Sequence, residues 1–106
     1  MFYELRQYRT KPGQLDNWVN YMETVIMPFQ ISKGMVIAGS FTGEEEDNLY
    51  IWMRRFKSEE ERATLYESVY ESNVWKNDML PNVIKMLDRD KTIVTRIQST
   101  PKSVLQ

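Results

Sequence analysis

The stretch LYIWMRRF, residues 49–56, decides the fold. Successive side chains of a β-strand point to opposite faces of the sheet, and this strand would place bulky apolar groups on both faces. One face would carry Leu49, Ile51 and Met53, and the other Tyr50, Trp52, Arg54 and Phe56. We therefore expect the chain's own helices to cover one face and a second chain to cover the other.

Three further strands are predicted on either side of this stretch. They cover residues 2–9, 35–42 and 92–98, where β-forming residues dominate or alternate with polar ones. The acidic loop 43–48 joins the second and third strands, which predicts an antiparallel hairpin with a long connection. This loop lacks the ligand spacing of a calcium loop, so we interpret it as a solvated hairpin tip.

A first helix is indicated by apolar residues at helical spacing between Leu15 and Phe29. Pro28 disfavours the α conformation of the residue before it, so we expect this helix to end or bend near Met27.

A second helical region is predicted to begin at Ser58, because Glu61 three residues later completes a capping box. Further helical pieces are expected at 74–80 and after Pro81, closed by Asp-Arg-Asp at 88–90.

The resulting order β-α-β-β-α-β is typical of an α+β, ferredoxin-like βαββαβ fold with a four-stranded antiparallel or mixed sheet. We expect the first and third strands at its centre and both helices on one face. Residues 1–98 would form a single domain, and residues 99–106 a loose C-terminal tail. Since the sheet is apolar on both faces, a homodimer through the sheet is expected.

The composition excludes several kinds of chemistry. The 106 residues include no cysteine and no histidine, so disulfides, thiolate nucleophiles and imidazole metal centres are ruled out. We predict no metal and no cofactor. The 14 basic and 15 acidic residues are interspersed, which argues against a nucleic-acid-binding surface. No apolar run is long enough for a membrane span and no signal peptide is evident, so a cytoplasmic location is expected.

A candidate ligand site lies on the two central strands. Glu4, Arg6 and Tyr8 share one face of the first strand. If Trp52 and Arg54 lie on the same side of the sheet, the patch would suit a planar anionic ligand, with arginine binding its carboxylate and rings stacking on its body. The alternative is an ion pair of Glu4 with Arg54 or Arg6 that holds the dimer register, with Trp52 as packing.

Three sequence blocks occur together in this chain: FYELRQY with KPG (2–8, 11–13), WMRRF with SEEER (52–56, 58–62), and YESNVWKN (70–77). Taken together, they resemble the NIPSNAP family, and the resemblance extends from residue 2 to about 101. It implies a ferredoxin-like fold of the dimeric α+β barrel superfamily, in which two four-stranded sheets close into a shared barrel with helices outside. It implies no particular reaction.

Superfamily relatives form a pocket between the second helix and the sheet, and the resemblance places Tyr66, Tyr70 and Trp75 on its wall. Tyr66 and Tyr70 are one helical turn apart. The alternative is ordinary helix–sheet packing with the hydroxyls reaching the surface.

Two functional hypotheses follow. The first is a homodimeric small-molecule-binding domain, which could extend to a cofactor-independent enzyme acting on an aromatic or lipid-like compound. His-ligated haem, which occurs in the superfamily, is excluded by composition. The alternative is a non-enzymatic protein-interaction module.

Overall fold

A computed structural model describes all residues, 1–106, as four strands and four α-helices with two π-helical turns. The strands are β1 (Phe2–Thr10), β2 (Val36–Thr42), β3 (Leu49–Phe56) and β4 (Leu87–Ile97). The helices are α1 (Leu15–Tyr21), α2 (Met27–Ser32), α3 (Glu59–Tyr70) and α4 (Leu80–Met86). The π-helical turns are Met22–Ile26, between α1 and α2, and Val74–Met79, before α4.

The strands form one antiparallel sheet in the order β2-β3-β1-β4, so the predicted α+β class and the central position of β1 and β3 are confirmed. The register decides which side chains share a face. Glu4 lies opposite Arg54, and Arg6 lies opposite Trp52. The polar patches of the two central strands are therefore on the same side of the sheet.

The chain's own helices cover this side. Tyr50, Trp52 and Phe56 are almost completely buried there, with Trp18 and Val69 from the helices in the same two core clusters. Burying each large apolar side chain contributes about 1.5–3 kcal/mol, so the aromatic face of β3 is a main source of stability.

The other side of the sheet, here called the open face, has no helix on it. The strand register places Phe41, Ile93 and Ile97 on this face. They are 53%, 55% and 39% exposed. At one end of the face the C-terminal tail covers Tyr3, whose hydroxyl donates to the Gln106 carbonyl at 2.6 Å. That the tail is loose in solution stays a prediction.

The helical path continues through Met27, where the sequence predicted an end or a bend. The Met27 amide donates to the Met22 carbonyl five residues earlier, and the wider π-helical turn leads directly into α2, which has Pro28 in its first turn. Pro81 follows the second π-helical turn in the same way, where the Leu80 amide donates to the Trp75 carbonyl. Proline needs no amide partner at the start of a helix, so both helical paths continue.

The last strand begins earlier than predicted. Asp88 and Asp90 were expected to close a helix, but β4 starts at Leu87, and its first residues pair with Arg9 and Thr10 of β1. Pairing along the edge of the sheet overrides the low strand propensity of aspartate. None of the helices is both long and apolar enough to cross a membrane.

Candidate functional site

A cavity of about 660 Å³ lies between the helix-covered face of the sheet and the helices, and 11 of its 16 lining residues are hydrophobic. Both π-helical turns contribute to its wall, through Met22, Ile26 and Trp75. Six of the seven predicted ligand-binding residues line it, namely Arg6, Tyr8, Trp52, Tyr66, Tyr70 and Trp75. Arg54, the seventh, is fully buried and does not line the cavity.

Arg54 donates hydrogen bonds to the polar side chains on one side of the cavity. Its Nη2 donates to the Glu4 carboxylate at 2.6 Å and to the Tyr66 hydroxyl at 2.7 Å. Its Nη1 donates to the Tyr70 hydroxyl at 2.7 Å and to the Gln30 side-chain carbonyl at 3.0 Å. A buried guanidinium is stable only when its charge and its donors are matched. Arg54 therefore fixes the tyrosine hydroxyls rather than contacting a ligand itself.

Glu4 supplies the charge that balances Arg54. The pair joins β1 to β3 within one chain, and its expected role in holding a dimer register stays a prediction. The Glu4 carboxylate also accepts from the Tyr66 hydroxyl at 2.6 Å, Arg62 at 3.1 Å and Arg6 at 3.3 Å. Burial raises the pKa of Glu4, but attraction to Arg54 and the Tyr66 hydrogen bond outweigh burial and lower it to about 2. A carboxylate held by four donors is a poor base for a ligand.

Arg6 is the only predicted site arginine that reaches the cavity. Its Nε donates to the Tyr8 hydroxyl at 2.8 Å, and its Nη1 lies 3.4 Å from the Tyr66 hydroxyl. Its Nη2 makes no hydrogen bond within the protein, and the side chain is 21% exposed. Arg6 can therefore donate to a bound molecule without breaking an existing bond.

The packing alternative expected the tyrosine hydroxyls of α3 to reach the surface. The Tyr66 and Tyr70 hydroxyls both bind Arg54 instead. The Tyr70 ring lies 5.0 Å from the Tyr66 ring and 4.9 Å from the Trp75 ring, the latter edge-on. Burial raises the pKa of Tyr66 to about 12, so this hydroxyl remains protonated at neutral pH.

All three tryptophans of the chain line the cavity. The indole N–H groups of Trp18 and Trp52 are buried and have no hydrogen-bond partner. A buried donor without any partner is costly, so a polar group of a bound molecule beside these indoles would be favourable.

Several residues that line the cavity were not predicted from the sequence. Gln30 interrupts the apolar stripe four residues after Ile26, and a polar residue at that spacing was a usable signal. Arg89 and Asp90 stand exposed beside the cavity. No signal marked them, because their segment was assigned to a helix end. The structure groups no three side chains that could hold a metal ion.

Several solved structures of other proteins share this fold. Protein Atu4242 from Agrobacterium tumefaciens superposes with a TM-score of 0.90 over 100% of both chains at 23% identity. A second NIPSNAP family protein from that organism, ATU5224, gives 0.88 over 99% of this chain and 98% of that one, at 18% identity. An uncharacterised NIPSNAP domain protein from Burkholderia xenovorans gives 0.82 over 97% and 98%, at 16% identity.

At these identities the structures show a shared fold and nothing about a ligand. No curated protein matches the chain. The family model described as NIPSNAP matches residues 3–101, nearly the whole length. The sequence resemblance is thereby confirmed, and the chain belongs to the NIPSNAP family.

Proposed function

We propose that this protein binds a small molecule in the cavity between sheet and helices. The observation that carries the proposal is a largely apolar cavity with one arginine in its lining, Arg6, that has an unused donor. Its volume of about 660 Å³ lies within the range of about 300–1,000 Å³ typical of small-molecule sites. The body of the ligand would pack on Trp52, Tyr70 and Trp75, and Arg6 would bind a polar head group.

The charge distribution favours an anionic head group. Glu4 is already matched by Arg54, which leaves the charge of Arg6 only partly neutralised, at 3.3 Å from the same carboxylate. Guanidinium groups bind carboxylates with strong, directional hydrogen bonds. An aromatic or aliphatic acid therefore fits the site better than a neutral or cationic compound of the same size.

Binding can be measured through the protein's own tryptophans, because all three line the cavity. We expect 3-phenylpropanoate to quench their fluorescence saturably. Arg6→Gln should weaken this binding about tenfold or more, since a hydrogen bond to a charged group contributes about 1.5–3 kcal/mol. Arg9→Gln, on the same strand but outside the cavity, is the matched control and should bind like the unchanged protein. Equal affinity in both variants would contradict the assignment of Arg6.

The same geometry argues against proton abstraction within the cavity. Glu4 has four donors and a low pKa, and Asp90, the other carboxylate near the cavity, is exposed. A cofactor-independent enzyme of the kind considered from the sequence would need a base that this interior lacks. We therefore propose binding as the function.

We further propose that the protein is a homodimer through the open face. The support is the exposure of Phe41, Ile93 and Ile97 on a sheet face that no helix covers. Light scattering at micromolar concentration should give twice the chain mass of 12.7 kDa. Phe41→Asp should shift the mass toward one chain, whereas Ile31→Asp, an equally exposed position on α2, should not. A monomer in the unchanged protein would favour the protein-interaction alternative, with the open face free for another partner.

A further inference from the structure

Tyr8 faces the cavity with a proton to donate. Its hydroxyl accepts from Arg6 Nε at 2.8 Å and donates to no acceptor in the protein. Burial raises the pKa of Tyr8, with attraction to Arg6 opposing it, so the hydroxyl stays protonated. A phenolic oxygen that already accepts from a guanidinium is polarised and becomes a stronger donor.

The Tyr70 hydroxyl also has a proton to donate, because both of its hydrogen-bond partners are donors. Arg54 Nη1 donates to the Gln30 side-chain carbonyl at 3.0 Å, which orients the amide so that its nitrogen faces Tyr70 at 3.3 Å. The Tyr70 hydroxyl therefore accepts from both Gln30 and Arg54. Its proton has no acceptor within the protein, so it too is available to a ligand.

Apart from the exposed Arg89 and Asp90 beside the cavity, unused donors outnumber unused acceptors among the lining residues. Besides the two hydroxyls, Arg6 Nη2 is unpaired, and the only buried polar side-chain atoms without partners are also donors, on Trp18, Trp52 and Arg54. The buried carboxylate of Glu4 accepts from Arg54, Arg6, Arg62 and Tyr66.

The charged side chains around Glu4 also favour a negatively charged ligand. The single charge of Glu4 faces three guanidinium groups, those of Arg54, Arg6 and Arg62. Arg62 is also paired with Glu59 at 3.2 Å, outside the cavity. Glu59 also pairs with Arg96 at 2.8 Å. Arg89 and Asp90 beside the cavity have opposite charges, so the charge of Arg6 remains as a net positive charge at the cavity wall.

We propose that the cavity binds a weakly acidic hydroxyl compound, a phenol or an enol, as its oxyanion, held by the Tyr8 and Tyr70 hydroxyls and Arg6 Nη2. This inference rests on the proposed ligand-binding function and adds the charge state of the ligand. A neutral hydroxyl would bring its own proton to a group of buried and half-buried donors, and the one unpaired carboxylate of the lining, Asp90, is exposed. Its conjugate base would accept all three donors, as in an oxyanion hole.

The experiment uses 4-nitrophenol, whose ionisation can be followed by absorbance. Titrating the probe with pH, with and without saturating protein, should show that its apparent pKa is lower by about one unit or more when bound, which is a tenfold preference for the phenolate. The matched ligand 4-nitroanisole cannot ionise and should bind at least tenfold more weakly at a pH where 4-nitrophenol is ionised. Calorimetry measures both affinities.

Variants assign the effect to the donors. Tyr8→Phe and Tyr70→Phe should each reduce the preference for phenolate at least threefold, and Tyr21→Phe, outside the cavity lining, should not. Thermal melting shows whether each variant is folded. If Tyr70→Phe unfolds because it loses the bond to Arg54, Tyr8→Phe still tests the inference. Binding of 4-nitrophenol with an unchanged pKa would overturn this inference and leave the binding function intact. Binding of 3-phenylpropanoate without any binding of 4-nitrophenol would overturn it as well. Binding of neither compound would overturn both proposals.

Discussion

Replacing Glu4 with glutamine removes the negative charge that balances buried Arg54, and we predict a large, pH-dependent loss of stability. Glutamine is nearly isosteric with glutamate, so packing around the site is preserved. Arg54 is completely buried and would keep its charge, because a guanidinium does not deprotonate at neutral pH. Removing one partner of a buried ion pair typically costs about 3–5 kcal/mol.

The magnitude also follows from the titration of Glu4. Its pKa falls from 4.5 to about 2 on folding, a difference of about 2.5 pH units, or about 3 kcal/mol of stability at neutral pH. Because the folded-state pKa is the lower one, this contribution is complete above the unfolded value of 4.5 and is lost as the pH falls toward 2. At pH 3 about half of it should remain.

Urea denaturation of both proteins at pH 7 and pH 3 tests this prediction. The difference in unfolding free energy should be about 3 kcal/mol at pH 7 and about half that at pH 3. Glu67→Gln is the matched control, since Glu67 is exposed on α3 and its carboxylate makes no ion pair, so this change should cost less than about 0.5 kcal/mol. A difference that is small at pH 7, or equal at both values, would refute the account of the buried network.

Three further substitutions test the supporting structure by the same denaturation assay. Tyr66→Phe should cost about 1.5–3 kcal/mol, because the hydroxyl bonds both Glu4 and Arg54; a neutral result would place this hydroxyl outside the network. Ser58→Ala should cost about 1 kcal/mol by removing the acceptor for the Glu61 amide at the start of α3, and no change would show the cap to be redundant. Gly34→Ala should cost about 1–2 kcal/mol, because the backbone there has a φ of +104°; a stabilised variant would contradict that conformation.

The periodicity of β1 and β3 was sufficient to predict the composition of the polar patch but not its location. Alternation placed Glu4 with Arg6, and Trp52 with Arg54, because side-chain direction is a local property of a strand. Which face the helices cover depends on the antiparallel register and on long-range packing. Both faces of β3 carry large side chains, so hydrophobicity alone could not distinguish them.

The boundaries that failed are those where long-range contacts or an uncommon helix geometry override local propensity. Pro28 is a strong helix breaker in a regular α-helix, but a π-helical turn precedes it. Asp88 and Asp90 are poor strand formers, but β4 pairs with β1 along the sheet edge. Because residues 88–90 were assigned to a helix end, Arg89 was not predicted to lie beside the cavity. Arg54 was assigned to the ligand site, with its ion pair to Glu4 only as the alternative, since a sequence pattern cannot distinguish a ligand-binding arginine from one that organises other side chains.

A crystal structure of the protein grown with 4-nitrophenol above the pH of its ionisation would show directly which groups hold the ligand. We predict the phenolate oxygen within hydrogen-bond distance of the Tyr8 and Tyr70 hydroxyls and Arg6 Nη2, with the ring between Trp52 and Trp75. A ligand found on the open face, or one in the cavity with its oxygen turned away from these three donors, would contradict this prediction.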